Sequence, residues 1–251
     1  MRASRQRGFT LMELLVVVTM IAALSAVSAL AYREGKRQAN RTVSATNLRN
    51  LAAANLMYAA EHQTYCPMGE MNRRWHGGRS TPNEPFDPRR GYLSEYLGES
   101  QSVGICPELQ GMLDSKSSWE LGTGGYGYNS TYIGGMPGFT FVPNRPANVP
   151  SPERTLMFAS TAFAKADGLQ EYGSAAPPYS VSPNWKTAGP LQPSVHFRFG
   201  GKALVAWCDG HVSSERMSHS NETNFYGGEN KTANFGIVGP KENNGWWNPR
   251  N

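Results

Sequence analysis

No Cys-x-x-Cys pair occurs in this chain of 251 residues, which excludes a zinc ribbon. There is no Gly-x-Ser-x-Gly elbow, no phosphate-cradling loop closed by Gly-Lys-Ser/Thr, and no His-Glu-x-x-His. The common hydrolase, nucleotide-binding and zinc-protease classes therefore have no foothold, and no catalytic residue is assigned. Lys and Arg form no stripe interleaved with aromatics, so nucleic acid is not an expected partner. The 24 basic and 19 acidic residues give a net charge of +5. Without Arg2, Arg5 and Arg7, 21 against 19 leave +2, so the basicity is concentrated at the start. Charged residues make up only 17%, against 27 Gly and 17 Pro. That balance describes a loop-rich, mainly β body and not a helical bundle.

Cysteine is scarce as well. Cys66, Cys106 and Cys208 are odd in number and define no disulfide framework. Cys66 and Cys106 each precede a proline, and a bridge between them would close a loop of about forty residues, stabilising by roughly 4 kcal/mol. The alternative is three buried thiols, and the sequence leaves both open.

What the chain does have is a long apolar run with one acid near its start. Arg2, Arg5 and Arg7 precede Gly8, and then follows Phe9-Thr10-Leu11-Met12-Glu13-Leu14-Leu15-Val16-Val17-Val18, with apolar or small residues predominating to Ala31. At about 1.5 Å per residue, positions 9–31 are long enough to cross a hydrocarbon core of roughly 30 Å. Three readings compete. One is a secretory signal cut at Ala29-Leu30-Ala31, a second is a plain anchor, and a third is a cut after Gly8 that makes Phe9 the new N-terminus. Glu13 separates them. A charge in hydrocarbon is costly, and neither a signal nor an anchor gains from it. Among bundled helices, the carboxylate of one subunit can pair with the freed α-amine at Phe9 of its neighbour and set axial register.

The string Gly8-Phe9-Thr10-Leu11-Met12-Glu13-Leu14-Leu15-Val16-Val17 resembles the processing and methylation site of type IV prepilins and type II secretion pseudopilins. The resemblance implies a prepilin peptidase acting after Gly8, methylation of Phe9, and assembly with other pilin or pseudopilin subunits through the N-terminal helix. It also implies a single pass of the inner membrane, with a cytoplasmic N-terminus before processing and a periplasmic or exterior head. Flanking charge alone does not orient the span, because Arg33, Lys36, Arg37 and Arg41 follow it.

Positions 32–63 contain no proline and one glycine, Gly35, so the helix is expected to continue. Ala45, Leu48, Leu51, Ala52, Leu56 and Ala59 form an apolar stripe at helical spacing, with Arg41, Arg49, Asn50 and Glu61 mostly off it. Tyr65-Cys66-Pro67 is the expected stop. The resulting division is 1–8 leader, 9–31 membrane helix, 32–63 helix packed on the head, and 64–251 an extracytoplasmic head. The fold class is α+β, with a long N-terminal helix on a small, mainly antiparallel β head, as in pilins.

In the head, the sequence predicts a short helix at 92–97 and a strand at 155–159. It also predicts an antiparallel hairpin, 202–208 and 211–215, turned by Asp209-Gly210 as type I′. The stretches 134–150 and 177–193 read as loops. The tail 221–251 is polar, with Trp246 and Trp247 as its bulky anchors, and is expected to wrap the head or fray.

Asn47-Leu48-Arg49-Asn50, Tyr58, Cys106-Pro107, Tyr126-Gly127-Tyr128-Asn129 and Ser151-Pro152 carry a second resemblance. They are similar to a large bacterial family of pseudopilin-like proteins named for a C-terminal His, nine residues, then Asp-Gly. Here Asp209-Gly210-His211 keeps the turn signature, but Phe199 stands where the family's His does, so the resemblance carries over no role for that imidazole. His196, Asp209, His211 and His219 are candidates for a metal cluster, but strand geometry argues against part of it, and the preferred reading is a hairpin packing the head onto the helix. Asn221, Glu222, Asn224, Glu229 and Asn230 could offer oxygens to calcium, at no recognised spacing, so no cofactor or metal is expected. Trp75, Trp119, Trp185 and Tyr179 read either as carbohydrate-stacking rings or, preferably, as caps on a small β core. The expected function is a structural, non-enzymatic subunit of a type II secretion or type IV pilus-like system. The alternative is an anchored module that binds a glycan, calcium or a secreted substrate.

Overall fold

The computed structural model describes residues 9–113, 120–135, 142–182 and 187–251. The chain divides into two units, Met1–Ala39 and Asn40–Asn251. One helix, α1 (Leu11–His62, 52 residues), contributes to both, and at 1.5 Å per residue it measures about 78 Å. It runs unbroken because nothing in it removes a backbone donor, Gly35 being its sole glycine. It ends at His62, three residues before the expected stop. Gln63 adopts a left-handed conformation (φ 62°), which terminates a helix before any proline is reached.

The second unit is built on a four-stranded antiparallel sheet. Its strands and their satellites are β1 (Tyr126–Tyr128), β2 (Leu156–Ser160), β3 (Phe163–Lys165), β4 (Gly168–Gln170), β5 (Val195–His196), β6 (Lys202–Trp207), β7 (Val212–Arg216) and β8 (Phe235–Gly236). The sheet order is β7-β6-β2-β1, with Val205 opposite both Ser213 and Ala159. β5 pairs with β8, and β3 with β4.

β6 reads as an unbroken apolar run because both its faces are covered. Leu204, Ala206 and Cys208 face a core shared with Leu48, Leu51, Ala52 and Ala59 of α1. Ala203, Val205 and Trp207 face a second core closed by Ile237, Val238 and Trp247 of the tail. The period of two along the strand divides these side chains between the layers. The architecture is α+β, a long helix with a small antiparallel β head.

Several details differ from the sequence reading. The stretch 92–97 is reduced to a 3₁₀ turn, Ser94–Tyr96. The β2 and β7 boundaries each sit one residue later than expected. The stretch 177–193 is not all loop, since Tyr179–Val181 pairs with Thr187–Pro190. The tail wraps, and its anchors include Phe235, Ile237 and Val238 besides Trp247, all fully buried.

The turn chemistry also moves. At Asp209-Gly210 only Gly210 has a positive φ (93°). The connection is a three-residue loop, Cys208 to Gly210, with Gly210 N–H donating to Trp207 O at 2.9 Å and Trp207 N–H to His211 O at 3.0 Å. This is the three-residue hairpin pattern with glycine at its left-handed position, and not type I′. The paired positive φ values that type I′ requires occur at Gly200 (63°) and Gly201 (75°) on entry to β6.

Candidate functional site

The N-terminal segment begins with a reciprocal cap. Thr10 lies just before α1, and its carbonyl accepts from Leu14 N–H at 3.1 Å. Glu13 Oε2 accepts from Thr10 N–H at 2.8 Å and from Thr10 Oγ at 2.9 Å, while Glu13 N–H donates to Thr10 Oγ at 3.2 Å. Thr10-x-x-Glu13 is thus a capping box. The Thr-x-x-Glu spacing of this box is present in the sequence, beside the membrane charge and register role read for Glu13. The carboxylate is held one residue from Phe9. Beyond it, Leu11, Leu14, Leu15, Val18, Ile21, Leu24, Val27 and Leu30 are exposed. Among the described residues α1 is the one helix long and apolar enough to cross a membrane. Gly8 and the arginines at 2, 5 and 7 lie outside the described residues.

Further along α1, polar side chains lie within the buried stripe. Asn47 Nδ2 donates to Tyr126 OH and to Ile105 O, each at 3.2 Å. Ser44 Oγ donates to Cys106 Sγ at 3.2 Å, and Asn40 Nδ2 to Glu108 at 2.9 Å. Deepest is Asn55, which has no exposed surface. Its Oδ1 accepts from Cys66 N–H at 2.8 Å and its Nδ2 donates to Tyr128 OH at 3.0 Å. Tyr128 OH in turn donates to Cys66 O at 2.8 Å. The Asn-rich helix motif and the Tyr-Gly-Tyr strand are therefore two halves of one hydrogen-bonded clasp.

Replacing Asn55 with Leu keeps the branched shape but strands the buried Cys66 N–H and takes from the Tyr128 oxygen the donor it accepts from. The expected cost is about 2–4 kcal/mol in head stability. Denaturant unfolding followed by tryptophan fluorescence measures it. Tyr128→Phe should cost less, and the pair should be less than additive because both act on one network.

Asn129 carries the clasp onward, donating to Leu156 O and to Trp247 O, each at 2.9 Å. Arg198 bridges the start of β1 and the end of β2, with Nη2 donating to Gly125 O at 2.6 Å and Nη1 to Thr161 O at 3.2 Å. Phe199 fills a core position and is a packing residue. Asp209 Oδ1 accepts from His211 N–H at 3.0 Å and lies 2.7 Å from His211 Nδ1. The ring of His211 stacks on Trp207. A Cβ on Gly210 would come within 3.3 Å of Leu56 on α1, so the hairpin tip abuts the helix.

Of the four residues considered for metal, Asp209 and His211 meet, but the other two do not complete a cluster. His196 is buried and stacked on Phe235, while His219 pairs across to Ile237. No group of three or more His, Cys, Asp or Glu suited to a metal occurs among the described residues. The oxygens weighed for calcium are engaged in part by the loop's own amides. Asn221 Oδ1 accepts from Thr223 N–H, Asn224 Oδ1 from Tyr226 N–H, and Asn230 Oδ1 from Asn224 Nδ2. All three cysteines are free and buried. Burial raises the pKa of the Cys66 and Cys208 thiols, keeping them protonated and unreactive.

Trp75 is a core residue and not a stacking platform. It is fully buried, donates to Gly173 O at 3.0 Å, and packs edge-on to Phe158. Tyr179 is half-buried, and Trp119 and Trp185 lie outside the described residues. Sequence reasoning missed two buried imidazoles. His76 and His196 are almost wholly shielded, and burial with neighbouring arginines pushes each pKa down to about 3.

The fold and the N-terminal segment together define a class, in which an exposed apolar helix, started by an acid in its first turn, carries an α+β head. A family model described as the prokaryotic N-terminal methylation motif matches residues 3–29. The motif and the helix fit a type IV prepilin or pseudopilin-like protein. No curated protein and no solved structure matches the chain.

Proposed function

We propose that this chain is a structural subunit of a type II secretion or type IV pilus-like machine. Prepilin peptidase cuts after Gly8, Phe9 becomes the methylated N-terminus, and subunits assemble through the exposed face from Leu11 to Leu30. The helix is drawn from the inner membrane, and the head lies in the periplasm or outside. The role is structural and not enzymatic, and it calls for no cofactor.

One observation carries the reading. The methylation motif at residues 3–29 coincides with a helix whose apolar side chains are exposed and whose first turn holds Glu13 beside Phe9. An exposed apolar surface of this extent marks an interaction with membrane or protein, and the acid suits bundled helices with free amines better than lipid alone.

N-terminal mass spectrometry of protein recovered from cells tests it. The expected mature chain begins at Phe9 and carries one added methyl group. A chain beginning at Tyr32, or retaining Met1, overturns the proposal. Gly8→Asp should leave the leader attached and lower gel mobility.

A further inference from the structure

The tail loop from Asn221 to Asn230 is knitted by its own asparagines. Asn230 Nδ2 donates to Asn221 O at 3.0 Å and to Thr223 O at 2.8 Å, and Asn224 Nδ2 to Ala164 O at 3.1 Å. Ala166 N–H donates to Tyr226 O at 3.0 Å, fastening the loop beside β3. This framework does not bury the loop's largest apolar side chains. Phe225 is 73% exposed and Tyr226 49%. A loop held this firmly while presenting two rings to solvent calls for an explanation beyond folding.

Next to those rings is a cleft of about 160 Å³ whose walls include Phe163, Tyr172, Ser174, Gln192, Phe225 and Tyr226. Phe163 and Tyr172 stack at 3.7 Å between centroids, and Tyr226 lies 4.8 Å from Phe163. Gln192 is 5% exposed. Its Oε1 accepts from Phe225 N–H at 2.9 Å, while its Nε2 is buried without a hydrogen-bond partner. A buried donor left unpaired is costly, and this one belongs to a side chain lining the cleft. The Ser174 hydroxyl, paired with Ser130 at 2.7 Å, adds a second polar group.

The chemistry narrows the occupant. Among the described residues no charged side chain lines the cleft, so they offer no counter-charge to a phosphate, a carboxylate or a cation. Its volume suits one six-membered ring, since a cavity of about 150 Å³ holds benzene. Aromatic walls with an amide donor at a polar edge match a ring that has C–H faces and hydroxyl rims. We infer that this cleft binds one ring of a neutral saccharide, its face against Tyr226 and Phe225 and a hydroxyl accepting from Gln192 Nε2. The inference goes beyond the assembly reading and does not depend on it.

The test uses the full chain in lipid nanodiscs, which avoids sugar-based detergents, titrated with cellobiose and with N,N′-diacetylchitobiose by calorimetry and saturation-transfer NMR. A ring of about a dozen heavy atoms supports a dissociation constant of about 1 mM. Gln192→Glu keeps the acceptor for Phe225 N–H and removes the donor, and should weaken binding about tenfold. Phe225→Ala and Tyr226→Ala remove exposed rings and should weaken it comparably, with the thermal melt of Phe225→Ala unchanged as the fold control. No binding of either sugar by the wild-type chain overturns the inference, as does binding that all three variants retain. Loss of self-association in Phe225→Ala without any sugar binding would instead make this face a contact between copies of the chain, and would also overturn it.

Discussion

Glu13→Gln is expected to be processed and to keep its helix start, yet to fail in assembly, while Glu13→Ala loses both cap and assembly. The two substitutions separate roles that one side chain combines. In the structure Glu13 Oε2 accepts from both the N–H and the hydroxyl of Thr10. A glutamine oxygen can accept the same two bonds, and Gln serves at this position of a capping box as Glu does. Alanine cannot, and loss of a cap costs about 1 kcal/mol. What Gln removes is the charge.

After a cut at Gly8 the residue beside Thr10 carries a free α-amine. Two unit charges about 4 Å apart attract by roughly 4 kcal/mol at an effective dielectric of 20, or about a thousandfold in subunit affinity before desolvation is subtracted. Removing one partner of a buried pair leaves the other uncompensated. The readout is the fraction of processed subunit recovered in sheared or pelleted polymer. Assembly of Glu13→Gln at the wild-type level would show that the cap suffices and that no charge pairing sets register.

How much of this was legible in the sequence follows from the range of the interactions. The helix and its stripe could be read because Leu48, Leu51, Ala52 and Ala59 repeat locally and no proline interrupts them. β6 could be read because its run is apolar on both faces. The clasp could not. Asn47 and Asn55 were visible as a motif, but their partners Tyr126 and Tyr128 lie 79 and 73 residues away. Glycine pairs presented a different problem. Asp209-Gly210 and Gly200-Gly201 both signal turns, and only the backbone shows which one takes two positive φ values. Trp75, read preferably as a cap on the β core, and His76 sit in a Gly- and Arg-rich stretch with no periodicity, so nothing local marked how deep they lie. The fold instead drives Trp75 against Phe158 and carries His76 inside with it. Thr10-x-x-Glu13 was legible throughout and was hidden by a stronger expectation about the same acid.

His76 and His196 are expected to make the head acid-labile well above the carboxylate range. In an unfolded chain they would titrate near 6.5, whereas in the fold both are held neutral, with pKa values pushed down to about 3. Burial is the larger cause for each. Arg74 and Arg79 add repulsion at His76, and Arg198 at His196. Arg198 Nη1 lies 3.4 Å from His196 Nδ1, as suits a guanidinium donating to a neutral ring. Below pH 6.5 the unfolded state binds more protons than the folded one, so stability must fall as pH falls, and above that pH the contribution is constant. Each histidine contributes up to about 1.4 kcal/mol per pH unit, so the pair removes about 3 kcal/mol between pH 6.5 and 5, a large share of a typical 5–15 kcal/mol. Glu120 works in the opposite direction: burial raises its pKa, so the fold takes up that proton before the unfolded chain does and offsets part of the loss near the acid end. Denaturant melts of the full chain at pH 7.5 to 5, read by the tryptophans (all six lie between positions 75 and 247), should give a stability slope approaching two protons. His196→Phe keeps the stack on Phe235 and should flatten that slope by one. A profile level from pH 7.5 to 5 would mean that the buried rings are protonated in the fold, and would refute their neutral assignment.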